Sequence, residues 1–472
     1  MTQHPVHIAF PGRLVFIGFG SIGQGVLPLI LRHIAIKPEQ ITIVTADDAG
    51  QREAAEYGIR FIVHPLTREN YAQTLEPLVG KGDFVLNLSV DVSSIALVQF
   101  CNEKGALYLD TCIEPWPGGY TDPNLSASKR SNYAMRETAL ALRNTMPKGP
   151  TAVLTHGANP GLVSHFVKEA LLRLAVDTGV EPGSPSSRES WAALAHHLGV
   201  KVIHIAERDL QVANTPKRPH EFVNTWSVEG FVSEGAQPAE LGWGAHEKGL
   251  PPDGRRHDFG PGSAIYLLRP GASTRVRTWT PIAGAFHGFL ITHGEAISIA
   301  DYYTVKDGDE VLYRPTVHYA YHPCDDAVLS VHEFAGRNWR LQERKRIMMD
   351  EITEGIDELG VLLAGHKKNA YWYGSQLSVA EVRKLCPYNN ATSLQVCVSV
   401  LSGVIWAMEN PHRGVVEPDE MDFRRNLEIC MPYLGPVVGK YTDWNPLFDR
   451  GRLFEEDLDK SDPWQFKNVR VV

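Results

Sequence analysis

Cysteine is scarce and scattered in this 472-residue chain: Cys101, Cys112, Cys324, Cys386, Cys397 and Cys430, with no C-x-x-C pair among them. That spacing argues against a disulfide framework or a zinc site and is expected of reduced thiols in a cytoplasmic protein. Basic excess is also lacking. Lys and Arg number 46 against 55 Asp and Glu, a net charge of −9. A nucleic-acid or anionic-membrane binder wants a basic surface, so neither partner is expected. No apolar run is expected to approach the ~18 residues that span a bilayer. The start Met-Thr-Gln-His-Pro-Val-His lacks a basic segment followed by an apolar one, so no signal peptide is expected. Repeats and low-complexity tracts are missing too. What is present is an ordinary globular composition, 43% hydrophobic and 21% charged, at a length that suggests two or three domains.

Residues 13–23 read Arg-Leu-Val-Phe-Ile-Gly-Phe-Gly-Ser-Ile-Gly, a short apolar strand running into Gly18-x-Gly20-x-x-Gly23. A helix is expected over the apolar segment Val26 to Ile34, with Pro28 tolerated in its first turn. Strand, glycine turn and helix start together form a dinucleotide fingerprint. Gly18 permits the turn, Gly20 lets a pyrophosphate approach, and Gly23 lets helix and strand pack. The turn residues Ser21 and Ile22 are expected to bind the cofactor beside the glycines, and the free N–H groups of the following helix attract phosphate.

Further strands are expected at Ile41–Thr45, Phe61–Val63, Phe84–Leu88, Leu107–Leu109 and Ala152–Thr155, with helices at Asn70–Leu75, Ser93–Lys104 and Ser128–Asn144. The alternation implies an α/β fold, a doubly wound parallel sheet completed within about 155 residues. A helix is expected from Pro160 to about Val176, then a surface loop from Glu181 to Glu189. Val200–Leu210, Phe222–Val232, Ala264–Leu268, Thr274–Trp279 and Ala283–Ile291 then read as consecutive strands of an antiparallel or mixed sheet. The chain becomes helical again at Ser378–Leu385 and Ala391–Met408. We therefore expect a nucleotide domain over 1–156, an inserted α+β domain over 157–377, and a helical segment over 378–472 returning to the first.

Several side chains can carry chemistry. Asp47, at the end of the second strand, can bind ribose hydroxyls and repel a 2′-phosphate, favouring NAD; nearby Arg52 keeps NADP open. Ser89, Val90 and Asp91 follow the fourth strand, where Asp91 is either a helix cap or part of a site. Thr111 and Glu114 follow the fifth strand and open onto the same crevice. Trp116 reads as a structural ring, or with Glu114 as a binder of ammonium. Asn159 and Pro160 either cap the next helix or face the nicotinamide. On a strand, Glu207 and Asp209 share one face, forming with Trp226 a wall for cations unless that face is simply solvated. Glu234, His293 and Glu295 lie further on, and a histidine titrates near neutrality. No metal ligand set is expected.

Gly18-Phe-Gly-Ser-Ile-Gly23, Asp110-Thr-Cys-Ile-Glu-Pro-Trp116, His156-Gly-Ala-Asn-Pro-Gly161 and Ala206-Glu-Arg-Asp209 resemble the bacterial homospermidine synthases. So do Asn224-Thr-Trp226, His293-Gly-Glu295 and Tyr388-Asn-Asn-Ala-Thr392, and the resemblance runs nearly full length. It implies a Rossmann domain with an inserted α+β domain for substrate binding and dimerisation, a homodimer, and tightly held NAD. The implied activity joins two putrescines, or spermidine and putrescine, into homospermidine with loss of ammonia. The resemblance matches Glu114, Glu207, Glu234 and Glu295 to substrate contacts and Trp226 to a cation–π ring. It places Asn159, Asp91 and His293 around the reacting centre. The rivals are a saccharopine- or carboxynorspermidine-type dehydrogenase, which would want an Arg clamp for carboxylates, and an inactive NAD-binding regulator.

Overall fold

The computed structural model describes residues 4–472. Its first sheet has seven parallel strands, and their side-by-side order is Arg60–Val63, Ile41–Thr45, Leu14–Ile17, Phe84–Asn87, Leu107–Asp110, Ala152–Val153 and Val415–Val416. Strands and helices alternate through the first six, as the apolar pattern requires. Strand order reverses beside Leu14–Ile17, and ligands bind at such a crevice beyond the carboxyl ends of the strands. The seventh strand comes from the C-terminal region. Its arrival extends the sheet past the strand expected to complete it.

The first helix is Ser21–His33, so Pro28 stands in its middle rather than in a first turn. The proline removes one backbone donor there. Two side chains of the C-terminal region donate to carbonyls of this helix: Cys397 to Ile22 O at 3.4 Å and Asn389 to Gly25 O at 3.1 Å. The helix expected at Pro160 begins instead at Leu162 and runs to Thr178, with Gly161 as its cap. Asn159 is therefore not a cap, and its side chain is free for another use.

The second sheet has eleven strands of mixed direction. At its centre Val202–Asp209 lies parallel to Thr316–His322 on one side and antiparallel to Ile356–His366 on the other. Ile356–His366 continues into Asn369–Ser378 as a long hairpin. The expected strand Phe222–Val232 is a four-residue strand, Glu221–Asn224, followed by the helix Val228–Ala236. Ser227 accepts the Gly230 N–H and starts that helix. A helix absent from the sequence reading, Arg188–Leu198, follows the Pro/Gly/Ser loop.

The C-terminal region serves both sheets, since Val437–Thr442 and Arg470–Val471 pair with strands of the second. Its main helix, Ala391–Glu409, corrects the expectation about apolar runs. It has a mean hydropathy of 1.6 over 18 residues, long and apolar enough to cross a membrane, yet 94% of that window is buried inside the protein. Here that apolarity serves the core, where the helix packs against the Ser21–His33 helix. Glu240 of the second sheet accepts the Asn132 and Tyr133 N–H groups at 2.7 and 3.2 Å, capping a helix of the first unit from outside.

Candidate active site

The glycine turn sits at the crevice. Gly18 has φ +80°, and a Cβ there would come within 2.8 Å of the Ser89 backbone, so the turn and the fourth strand's loop touch through a residue with no side chain. Gly20 faces open space, with nothing within 4 Å of where its Cβ would stand. The helix starting at Ser21 aims its unpaired N–H groups there. This is a cradle for a dinucleotide pyrophosphate. Asp47 is exposed just beyond the second strand, accepting the Ala49 N–H at 3.0 Å. The Arg52 guanidinium is taken up by Glu53 at 2.8 Å.

Next to the turn lies a cavity of about 850 Å³. Ile22, Ser89, Val90 and Thr111 line it from the first sheet, with Glu114, Asn159 and Pro160 beside them. Glu207 and Tyr319 come from the second sheet, Trp226 and Glu234 from the helical side, and His293 from the start of the Gly294–Tyr302 helix. No lysine or arginine lines it among the described residues.

Glu207 is almost fully buried, and its Oε2 accepts from Tyr319 OH at 2.6 Å and from Asn159 Nδ2 at 3.0 Å. The Asn159 amide thus holds a carboxylate in this structure. Burial, helped by the like charge of Asp209, pushes the Glu207 carboxyl up to about 8. Beneath it Asp357 stands directly across the sheet from Asp209. Asp209 accepts from Gln211 N at 2.8 Å and Thr225 Oγ1 at 3.0 Å, while Asp357 accepts from Thr392 Oγ1 at 2.7 Å. Burial and the neighbouring carboxylates hold Asp357 far above the usual carboxylate range. Glu207 and Asp209 do share one face, and that face is buried rather than solvated. A set of acids packed this tightly stays partly protonated until a cation enters.

Glu114 is buried too, and burial pushes its carboxyl up to about 8. Trp226 is half-buried, donates its indole N–H to Tyr321 OH at 3.3 Å and meets the Phe231 ring at 5.7 Å. His293 Nε2 lies 2.9 Å from Glu234 Oε2, and Nδ1 lies 3.3 Å from Glu295 Oε1. Despite burial, the two carboxylates hold this histidine well above its ordinary range. The imidazole therefore keeps its proton to a higher pH than an ordinary histidine.

Not every expected residue reaches the cavity. Asp91 is exposed, at φ +66°, and Ser93 caps the following helix in its place. Trp116 packs on Tyr71 with ring centroids 5.5 Å apart, the structural reading. Glu295 sits behind His293 and is absent from the lining. Conversely, Tyr319 lines the cavity but was not singled out from the sequence, nor was Asp357 beneath it, while Thr392 entered only as the last residue of the Tyr388–Thr392 motif. The alternation Tyr319-Ala320-Tyr321 carried a strand signal that could have located the first.

Two family profiles match the chain: the saccharopine dehydrogenase NADP binding domain over residues 14–153 and the saccharopine dehydrogenase C-terminal domain over residues 157–442. The homospermidine synthase of Blastochloris viridis is 57% identical over the whole of both chains. That of Mesorhizobium japonicum is 53% identical over 99% of this chain and 98% of its own. The crystal structure of homospermidine synthase from Legionella pneumophila in complex with NAD superposes with a TM-score of 0.92, at 50% identity and 98% coverage of each chain. Such identity across the full length, with both profiles in order, leaves one conclusion: the chain belongs to the homospermidine synthase family, within the saccharopine dehydrogenase group of folds.

Proposed function

We propose that the protein is a homospermidine synthase, joining two putrescines, or the aminobutyl group of spermidine and a putrescine, with release of ammonia. One observation carries this reading. The cavity beside the nucleotide turn presents Glu114, Glu207, Glu234 and the Trp226 ring, and no arginine or lysine lines it among the described residues. Carboxylates and a π-face attract ammonium groups, whereas the carboxylate-bearing substrates of saccharopine-type dehydrogenases want an arginine fork.

The residues present fit NAD. Gly18, Gly20 and Gly23, with the N-terminus of the Ser21–His33 helix, would hold the pyrophosphate, and Asp47 the ribose hydroxyls, a choice that disfavours a 2′-phosphate. Ile22, Ser89, Val90, Thr111 and Pro160 would line the nicotinamide. When bound there, NAD would supply reversible hydride transfer at the amine-bearing carbon, with no net oxidation.

The protein's own groups bind and orient the diamine. Glu207, held by Tyr319 and Asn159, takes the ammonium at the deep end, above the buried pair Asp209 and Asp357. Glu114 contacts a substrate amine, and Glu234 stands along the substrate entrance. Trp226 covers the carbon where positive charge develops. His293 moves protons through Nε2, the nitrogen facing Glu234.

Incubation with NAD⁺ and carbon-labelled putrescine tests the reading. Mass spectrometry is expected to find a triamine carrying both labelled chains, with no net rise in NADH absorbance. A one-to-one accumulation of NADH would overturn it in favour of a simple dehydrogenase.

The same reading includes a homodimer working in the reducing cytoplasm. All six cysteines are free thiols, and Leu453 and Phe454 are each 81% exposed in the tail that packs on the second sheet. Light scattering is expected to give twice the chain mass of 52.4 kDa. A particle of the single-chain mass at working concentration removes the dimer.

A further inference from the structure

Glu295 lies in the first turn of the Gly294–Tyr302 helix and is 1% exposed. Neither of its carboxylate oxygens has a hydrogen-bond partner among the described residues. Burying a carboxylate so bare is costly unless a counter-charge stands beside it. The helix N-terminus supplies part of one. A full charge beside it is the His293 imidazole, whose Nδ1, likewise without a hydrogen-bond partner among the described residues, lies 3.3 Å from Glu295 Oε1 as an ion-pair contact.

The other groups around the imidazole cannot replace it. Glu234 approaches Nε2 from the Val228–Ala236 helix. Tyr319 lies over the ring from the Thr316–His322 strand, centroids 4.5 Å apart, with its hydroxyl committed to Glu207. Behind the Glu234–His293 pair is a smaller cavity of about 410 Å³, lined also by Cys112, Arg136 and Glu417. Among the described residues Arg136 is the one guanidinium lining that cavity, and it is spent on Glu417 at 2.7 Å and Asp301 at 3.0 Å. Glu295, His293 and Glu234 therefore form a row of carboxylate, imidazole and carboxylate, running from the interior to the substrate cavity.

We propose that Glu295 is a positioning residue: it keeps a proton on His293 Nδ1 and so makes Nε2 the one imidazole nitrogen that exchanges protons with the substrate amines. This rests on the aminobutyl-transfer reading. The second putrescine amine first bonds to the imine carbon, and its nitrogen becomes cationic. The His293 Nε2–H bond then breaks and an N–H bond forms on the original nitrogen, whose C–N bond breaks as ammonia leaves. The newly attached nitrogen gives a proton back to Nε2, Nδ1 keeps its own beside Glu295, and the balance closes without an outside acid.

The experiment compares wild type, E295Q and E295D as full-length holoenzyme, following homospermidine formation against pH. Glutamine keeps the volume and removes the charge, so kcat is expected to fall about 10- to 100-fold, with the putrescine KM within about threefold. The alkaline limb of the kcat profile is expected to move down by about one pH unit or more, because a less anionic neighbour holds the imidazolium less firmly. Aspartate restores part of both. A limb unmoved in E295Q, even with kcat lowered, assigns Glu295 a structural role and overturns the proposal. If glutamine prevents folding, E295D carries the same test through the same limb. If wild type forms no triamine, the function reading falls by itself. Nitrogen NMR of the imidazole, assigned by comparison with H293Q, still decides whether E295Q lowers its titration.

Discussion

Glu207→Gln is expected to lower kcat/KM for putrescine by about 10²–10³-fold, or about 2.7–4 kcal/mol, the scale on which a buried charge partner is lost. The glutamine side chain keeps the shape and can still meet Tyr319 and Asn159, so the loss isolates the charge. The sign of the pH effect follows from the carboxyl's position at about 8, above its ordinary 4.5. A group raised on folding contributes stability at acid pH and loses it as pH climbs through the raised value. Below that raised value Glu207 keeps its proton, and an arriving ammonium restores the carboxylate and expels the proton. Calorimetry in two buffers of different ionisation heat is expected to show proton release on putrescine binding in wild type and less of it in E207Q. Equal release in both proteins, with kcat/KM within threefold, would remove Glu207 from the ammonium site.

Trp226→Ala is expected to lose more turnover than Trp226→Phe, by about 0.5–2 kcal/mol, or about 2- to 30-fold, the worth of a π-face under a cation. Phenylalanine keeps a ring against Phe231 and loses only the N–H bond to Tyr321 and the richer indole face. Alanine also opens the cavity to water. Melting temperature and bound NAD content, measured on each variant, separate a collapsed wall from a missing cation site. Wild-type kinetics in the alanine protein would end the proposed role.

The nucleotide side of the site was legible because its signals are local. A positive φ at Gly18, an apolar strand before it and a helix after it are encoded within about a dozen residues. Errors arose where side chains from distant segments decide local structure. Pro28 was expected in a first turn, but it stands in mid-helix, one to two turns after the Gly25 and Ile22 carbonyls that Asn389 and Cys397 bond. Asn159-Pro160 looked like a helix start, yet the helix begins after Gly161 and the Asn159 amide turns to Glu207. The hairpin of Ile356–His366 and Asn369–Ser378 escaped detection because its turn, Lys367-Lys368, lacks glycine. Asn369 supplies the positive φ instead.

The sequence by itself determined a dinucleotide turn, the acidic and aromatic residues available near it, and the family to which the chain belongs. Only the tertiary structure decided which of those residues meet. Glu207, Tyr319 and Asp357 lie on three separate strands, and strand order in a mixed sheet is set by long-range packing that no local pattern encodes. The same packing removed water from the carboxylates and raised Glu207 and Glu114 to about 8. It also placed Glu295 behind His293 rather than in the cavity. Residue identity supplied the charges; burial and neighbours decided when those groups are charged and what they face.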